Sequence, residues 1–198
     1  MRSLTLDDVR RALHARTPAR LREPLPRQSA VAVVLREGAP GLEALLIRRA
    51  DRPGDPWSGQ VAFPGGRAEP GESLLQTAVR ETAEEVGLDL GSGAELLGGL
   101  DEIQAIGRGR LLGLSIQPWV FGLMREPDPP RLSGEVASAH WVRVPDLLDP
   151  ARQAPFAYEH EGLLLELPSL RVGGLVIWGL TYRMLSAFAE VLAAGESR

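Results

Sequence analysis

The stretch from Ser73 to Gly87 dictates its own conformation. Ser73 and Gln76 make a capping-box pair at its start, and Gly87 stands where a left-handed C-terminal residue is wanted. In the helix this predicts, Glu81, Glu84 and Glu85 fall at i, i+3 and i+4 and share one face. Leu75, Ala78, Val79, Thr82 and Val86 read as the opposite, inward face. Three like charges on one face repel each other, which costs helix stability. A solvated acidic surface is the usual meaning of such a run. The other meaning is a cradle for a hard divalent cation, magnesium or manganese, that takes carboxylate oxygens.

The remaining composition narrows the choice. The chain has 198 residues, 44% of them hydrophobic, enough apolar material for one compact domain over 1–198. Its net charge of −4 argues against a nucleic-acid binder that works by neutralising phosphates, so an anionic substrate must be drawn by something else. The absence of cysteine excludes disulfides, thiolate nucleophiles and zinc–thiolate sites. Every one of the 22 basic residues is Arg, a bias that suits phosphate binding but fits base composition as well. No apolar run is long enough to cross a bilayer, and the charged N-terminus does not read as a signal peptide, so the expectation is a cytoplasmic protein without a membrane partner.

Along the chain, residues 1–28 read as an amphipathic helix at 6–16 and a Pro-rich connector. Ala30–Leu35 and Leu42–Ile47, separated by Gly38, Pro40 and Gly41, predict a hairpin. Gln60–Phe63 predicts a third strand cut off by Pro64-Gly65-Gly66. Further strands are expected near 95–100, 115–124 and 139–144, a loop at 126–134, and a C-terminal helix from Trp178 to Leu192, within 177–194. The order predicts an α+β protein, a mixed sheet between helices in an α/β/α sandwich.

The glutamates do not stand alone. Gly66, Glu72, Arg80, Glu81, Glu84, Glu85 and Gly87 form a spaced set that recurs by chance at roughly 10⁻⁸ per starting point. The segment 66–88, GRAEPGESLLQTAVRETAEEVGL, resembles the Nudix signature G-x5-E-x7-R-E-U-x-E-E-x-G-U, with Thr82 replacing an aliphatic residue. The resemblance implies the Nudix fold and a metal-dependent pyrophosphohydrolase for a nucleoside diphosphate linked to another group. Glu81, Glu84 and Glu85 would then be metal ligands or orient the attacking water, with the Gly65 carbonyl as a further ligand. Arg80 would hold the glutamates and Glu72 would be an accessory carboxylate. A glutamate outside the box often assists in such enzymes; Glu135 is the candidate, ahead of Asp101 and Glu102, with an exposed loop glutamate as its other reading.

Upstream, Leu45-Leu46-Ile47-Arg48-Arg49-Ala50 and Gly59-Gln60-Val61-Ala62-Phe63-Pro64-Gly65-Gly66 are similar to the extra motif of Nudix coenzyme A pyrophosphatases, as is Ile177-Trp178-Gly179-Leu180-Thr181. That subfamily splits coenzyme A into 3′,5′-ADP and 4′-phosphopantetheine, which makes Arg49, Gln60, Phe63 and Glu72 substrate-binding candidates. The pattern Asp55-Pro56-Trp57-Ser58-Gly59 departs from it and marks a related branch. Hydrolysis of ADP-ribose, dinucleoside polyphosphates or nucleoside triphosphates is the enzymatic alternative. A non-catalytic nucleotide sensor is the alternative of another class. A homodimer is the family's assembly. Trp57 and Trp119 offer faces on which a base would stack, though packing is the commoner role. His14, His140 and His160 lack metal-ligand spacing and read as structural or exposed.

Overall fold

The computed structural model describes residues 3–55, 57–107, 110–160 and 163–196; of the residues named above, Pro56 and the His160 side chain lie outside the description. In chain order the elements are α1 (Leu6–His14), β1 (Arg27–Gly38), β2 (Gly41–Arg49), β3 (Val61–Ala62), β4 (Gly65–Arg67), α2 (Leu74–Val86) and α3 (Leu90–Gly93). There follow β5 (Ala94–Gly99), β6 (Ile103–Gly107), β7 (Arg110–Leu123), β8 (Val136–Arg143), α4 (Val144–Leu147), β9 (Gln153–His160), β10 (Leu163–Val172), β11 (Leu175–Trp178) and α5 (Gly179–Glu196).

β1 is apolar on both faces because both faces are covered. Ala30, Ala32 and Val34 pack with Ala78 and Val86 of α2 on one side. Val31, Val33 and Leu35 pack with Val9 and Leu13 of α1 and Leu185 and Phe188 of α5 on the other. The expected α/β/α sandwich is therefore present. Around β1 the mixed sheet runs β3-β2-β1-β7-β5, with β4 added on β1, β6 on β7 and β8 on β2. β1 and β2 form the expected antiparallel hairpin, Gly38 facing Gly41, whereas β1 and β7 run parallel, Val33 beside Val120.

Three expectations need correction. The third strand shrinks to Val61–Ala62, and the glycines read only as its end open a new strand, β4, which pairs Gly65 with Val31. Trp178 belongs to β11 rather than to the last helix. A second sheet, β11-β10-β9, had no expected counterpart. Its strands pair Pro168 with Pro155, and proline is a residue that argues against a strand when read in sequence. Leu170, Val172 and Ile177 of this sheet join the same core as α1 and α5.

Candidate active site

α2 forms for the reasons its sequence gives. Ser73 Oγ accepts from the Gln76 N–H, the Gln76 side chain returns the bond to the Ser73 N–H, and Gly87 closes the helix at φ 71°. Its faces differ from expectation. Leu75 and Val79 are only half-buried, while Glu85 is 3% exposed. The buried stripe runs through Thr77, Ala78, Thr82, Glu85 and Val86, so the helix presents one edge of its acidic set to the protein interior. Thr82 is fully buried and spends its hydroxyl on the Ala78 carbonyl at 2.7 Å, which satisfies the polar atom where an aliphatic residue would have none.

Arg80 organises the rest. Its guanidinium donates from Nε to Glu72 Oε1 at 2.9 Å and from Nη2 to Glu72 Oε2 at 3.1 Å and the Arg67 carbonyl at 3.0 Å. Its Nη1 reaches Glu81 Oε1 at 2.9 Å and Glu84 Oε2 at 3.1 Å. These bonds hold the Glu72 carboxyl at a pKa of about 2, helped by the Glu69 N–H and the Thr77 hydroxyl. Glu72 is thus committed to Arg80, and it does not line the cavity described next.

That cavity, of about 390 Å³, opens between the sheet, α2 and α5. Its wall carries the polar side chains of Glu81, Glu85, Glu135, Arg49, Asp55 and Gln60 and the apolar ones of Val31, Phe63, Leu114, Ile116, Leu180 and Met184. Phe63 is buried and forms part of its wall. Thr181 fastens α5 to β3 by donating to the Val61 carbonyl at 2.9 Å. Glu85 Oε2 accepts the Gly65 N–H at 2.9 Å, and Arg49 Nη1 stands 3.9 Å from Glu85 Oε1. Burial pushes the Glu85 carboxyl up to about 7; Glu81 and Glu135 add repulsion, which the Gly65 N–H and Arg49 only partly offset. Burial also raises Glu81, against the pull of Arg80.

The tight turn at Pro64-Gly65-Gly66 explains why two glycines precede the helix. A side chain on Gly65 would lie 2.3 Å from the Ala30 carbonyl oxygen of β1. One on Gly66 would lie 2.4 Å from the Glu81 carboxylate. Gly66→Ala is therefore expected to fold with a melting temperature near that of the parent, since the clash meets a movable side chain, but to lose activity on the order of 10²-fold. Parallel thermal melts and turnover measurements check both halves.

The outlying candidates separate cleanly. Glu135 lines the cavity, with its carboxylate 2.9 Å from Arg52 Nη1 and its carbonyl accepting the Ala50 N–H. Glu84, with a side chain 60% exposed, projects outward beside Arg80 and is absent from the cavity wall. Asp101 and Glu102 lie elsewhere and tie down the N-terminal connector: Asp101 binds Arg16 and the Ala19 N–H, and Glu102 the Leu21 N–H. Trp57 lines the cavity, whereas Trp119 lies under Arg20, 5.2 Å from its ring. His140 bonds Ser138 at 2.8 Å. Asp55, Leu180 and Met184 had not been singled out as site residues; the first sits in a turn and the last two on a helix whose apolar face reads as core.

Among the described residues no three acidic or imidazole groups converge into a ready ion cage. The cause is visible, because Arg80 draws Glu81 and Glu84 to itself and Gly65 holds Glu85. The donor set nevertheless fits a hard cation. Two carboxylates raised by burial face one cavity with a third beside them, and the nearest positive charge to Glu85 is a guanidinium at 3.9 Å.

Comparison with known proteins supplies the context. The family model described as NUDIX domain matches residues 26–161. A relative in Citrobacter koseri, the uncharacterized Nudix hydrolase NudL, is 30% identical over 94% of each chain. The peroxisomal coenzyme A diphosphatase ndx-8 of Caenorhabditis elegans is 30% identical over 69% of this chain and 55% of its own. Of the curated relatives matched first, the chain spans 34% and 55% of their lengths. An Ap4A hydrolase binary complex from C. elegans superposes with a TM-score of 0.54 at 22% identity, over 85% of this chain and 98% of that one, a likeness of fold. No helix among the described residues is long and apolar enough to cross a membrane.

Proposed function

This chain belongs to the NUDIX domain family, and on that premise we propose that it is a divalent-cation-dependent pyrophosphohydrolase whose substrate is coenzyme A or a derivative. The observation that carries the reading is the pair Glu81 and Glu85, a half-buried and a buried carboxylate, both with raised pKa values, facing one cavity beside Glu135. Carboxylates are kept in such a place at a cost in stability, and a cation with a polyanionic ligand is what offsets it. Glu81 and Glu85 would hold the cation, with Glu84 swinging in from the surface; magnesium suits the oxygen-only donor set, and manganese can replace it. When bound, the cation offsets charge on the phosphate oxygens.

The protein's own part is placement. Arg80 fixes Glu81 from behind, and the Gly65 N–H fixes one oxygen of Glu85 so that the other faces the cavity. Arg49, on the cavity wall, is the cation set to meet a diphosphate oxygen. Water attacks one phosphorus, its proton passes to a cavity carboxylate, for which Glu135 is the candidate, and the bridging P–O bond breaks. The apolar wall residues, Phe63 and those of α5, would take the group beyond the phosphates, and Gln60 would meet its polar atoms.

The coenzyme A assignment rests on the Arg49, Gln60 and Phe63 motif and on the likeness to a coenzyme A diphosphatase. With magnesium or manganese, coenzyme A should yield 3′,5′-ADP and 4′-phosphopantetheine, identified by mass. Its specificity constant should exceed that of ADP-ribose by about tenfold or more, the factor that about 1.4 kcal/mol of differential binding gives. Equal or reversed constants would remove the substrate assignment and leave the hydrolase.

A further inference from the structure

We infer that Asp55 is a positioning residue, whose carboxylate holds the Arg49 guanidinium off Glu85 and aimed at the diphosphate; the inference rests on the proposed function in that a diphosphate enters this cavity. Both side chains line the cavity and both are mostly buried, Asp55 17% and Arg49 24% exposed. Asp55 Oδ2 accepts from Arg49 Nη2 at 3.0 Å, while Oδ1 accepts from the Trp57 N–H at 2.9 Å. One carboxylate therefore ties the Arg49 side chain to the backbone of the turn that carries Trp57. That turn is itself braced: Ser58 Oγ accepts the Arg52 N–H, and the Gln60 N–H reaches the Trp57 carbonyl.

Arg49 lies between two carboxylates. Asp55 holds one end of the fork in direct contact, whereas Glu85 stands 3.9 Å from the other end, beyond hydrogen-bond reach. The Arg49 Nε is buried without a partner among the described residues. A guanidinium free of Asp55 would close onto Glu85 and turn its donors away from the incoming phosphate. Held by Asp55, it keeps donors for an incoming phosphate oxygen, whose charge-assisted bonds are the strong kind. Burial alone would raise the Asp55 pKa, but the Trp57 N–H and Arg49 outweigh it and bring the carboxyl below its usual range, so the ion pair persists through neutral pH.

Asp55→Asn is the discriminating substitution. Asn keeps an oxygen for the Trp57 N–H, and so keeps the turn, but turns an amide N–H toward Arg49. Calorimetric titration of the full chain with inorganic pyrophosphate in magnesium buffer should show affinity about tenfold weaker in D55N. Arg49→Gln should lose as much or more, and D55N should add nothing in the R49Q background. With coenzyme A, D55N should raise KM by a similar factor and leave kcat within about twofold, a split that a merely loosened fold would not give. Arg49→Lys, which leaves the turn untouched, is the second variant; a compact ammonium lacks the fork that meets Asp55 with one end and the phosphate with the other, so it too should bind about tenfold more weakly. Wild-type affinity in D55N or R49K, or an undiminished D55N effect in the R49Q background, overturns the inference. Pyrophosphate that binds while coenzyme A resists hydrolysis defeats the substrate assignment alone; a parent protein that binds no pyrophosphate defeats both.

Discussion

Glu85→Gln is expected to abolish the proposed hydrolysis and stabilise the metal-free protein. Turnover should fall on the order of 10²–10³-fold, because a buried oxygen set toward the cavity loses its charge. Stability should move the other way. The folded-state pKa of Glu85 is about 7, raised by burial from an ordinary 4.5. The folded protein therefore binds this proton more tightly than the unfolded chain. Its contribution to stability is whole below pH 4.5, declines as pH rises toward 7, and is gone above that. Above pH 7 the loss is about 3 kcal/mol at the most, from the shift and the free energy of one pKa unit. Glutamine escapes this loss and still offers the Gly65 N–H an acceptor. Melts of metal-free protein at pH 8 should place E85Q several degrees above the parent, and the two should converge at pH 4.5. Added magnesium should raise the parent's melting temperature and leave E85Q nearly unmoved. A variant less stable than the parent at pH 8 would contradict the strain assigned to this carboxylate.

Arg80→Gln is expected to damage both the fold and the chemistry. The guanidinium satisfies Glu72, Glu81, Glu84 and the Arg67 carbonyl at once, from a position only 24% exposed. Removing it leaves mostly buried carboxylates without a counter-charge, a change that costs about 3 kcal/mol. The pH dependence should change as well. Glu72 has its pKa lowered to about 2, so in the parent its contribution is present above pH 4.5 and is lost as pH falls through about 2. R80Q should be less stable than the parent at pH 7 and lose less on acidification, a difference that denaturant unfolding at pH 7 and pH 3 will measure. Turnover should fall by at least as much as in Gly66→Ala, since Glu81 loses its anchor. Parallel acid profiles for the two proteins would remove Arg80 from the role of clamp.

The acidic helix was readable because it depends on spacing alone. Capping residues, the i, i+3, i+4 glutamates and the double glycine state their geometry locally. The burial of Glu85 was not readable, because it depends on where β4 passes. A helix wheel places Glu81, Glu84 and Glu85 together, but only the bond from Gly65 turns Glu85 inward and leaves Glu84 in solvent. Asp55 escaped for a related reason. In a turn of Pro, Gly, Asp and Ser it reads as punctuation, and its meaning comes from Arg49 on the neighbouring strand. The hairpin of β1 and β2 followed from its own pattern, whereas the β9–β10 pair, with facing prolines, carried a sequence signal against itself. Glu135 lay between these cases: the resemblance offered it as a site glutamate, with an exposed loop residue as its other reading, and only the fold puts it on the cavity wall.

The parallel pairing of β1 with β7 has a bearing on how the chain is made. During synthesis Val33 emerges long before its neighbour Val120, so β1 must wait with β2 and β4 as its early companions. Until β7 leaves the ribosome, the flank of β1 it will cover stays open to other strands, and a ribosome stalled in that interval would carry an adhesive nascent chain.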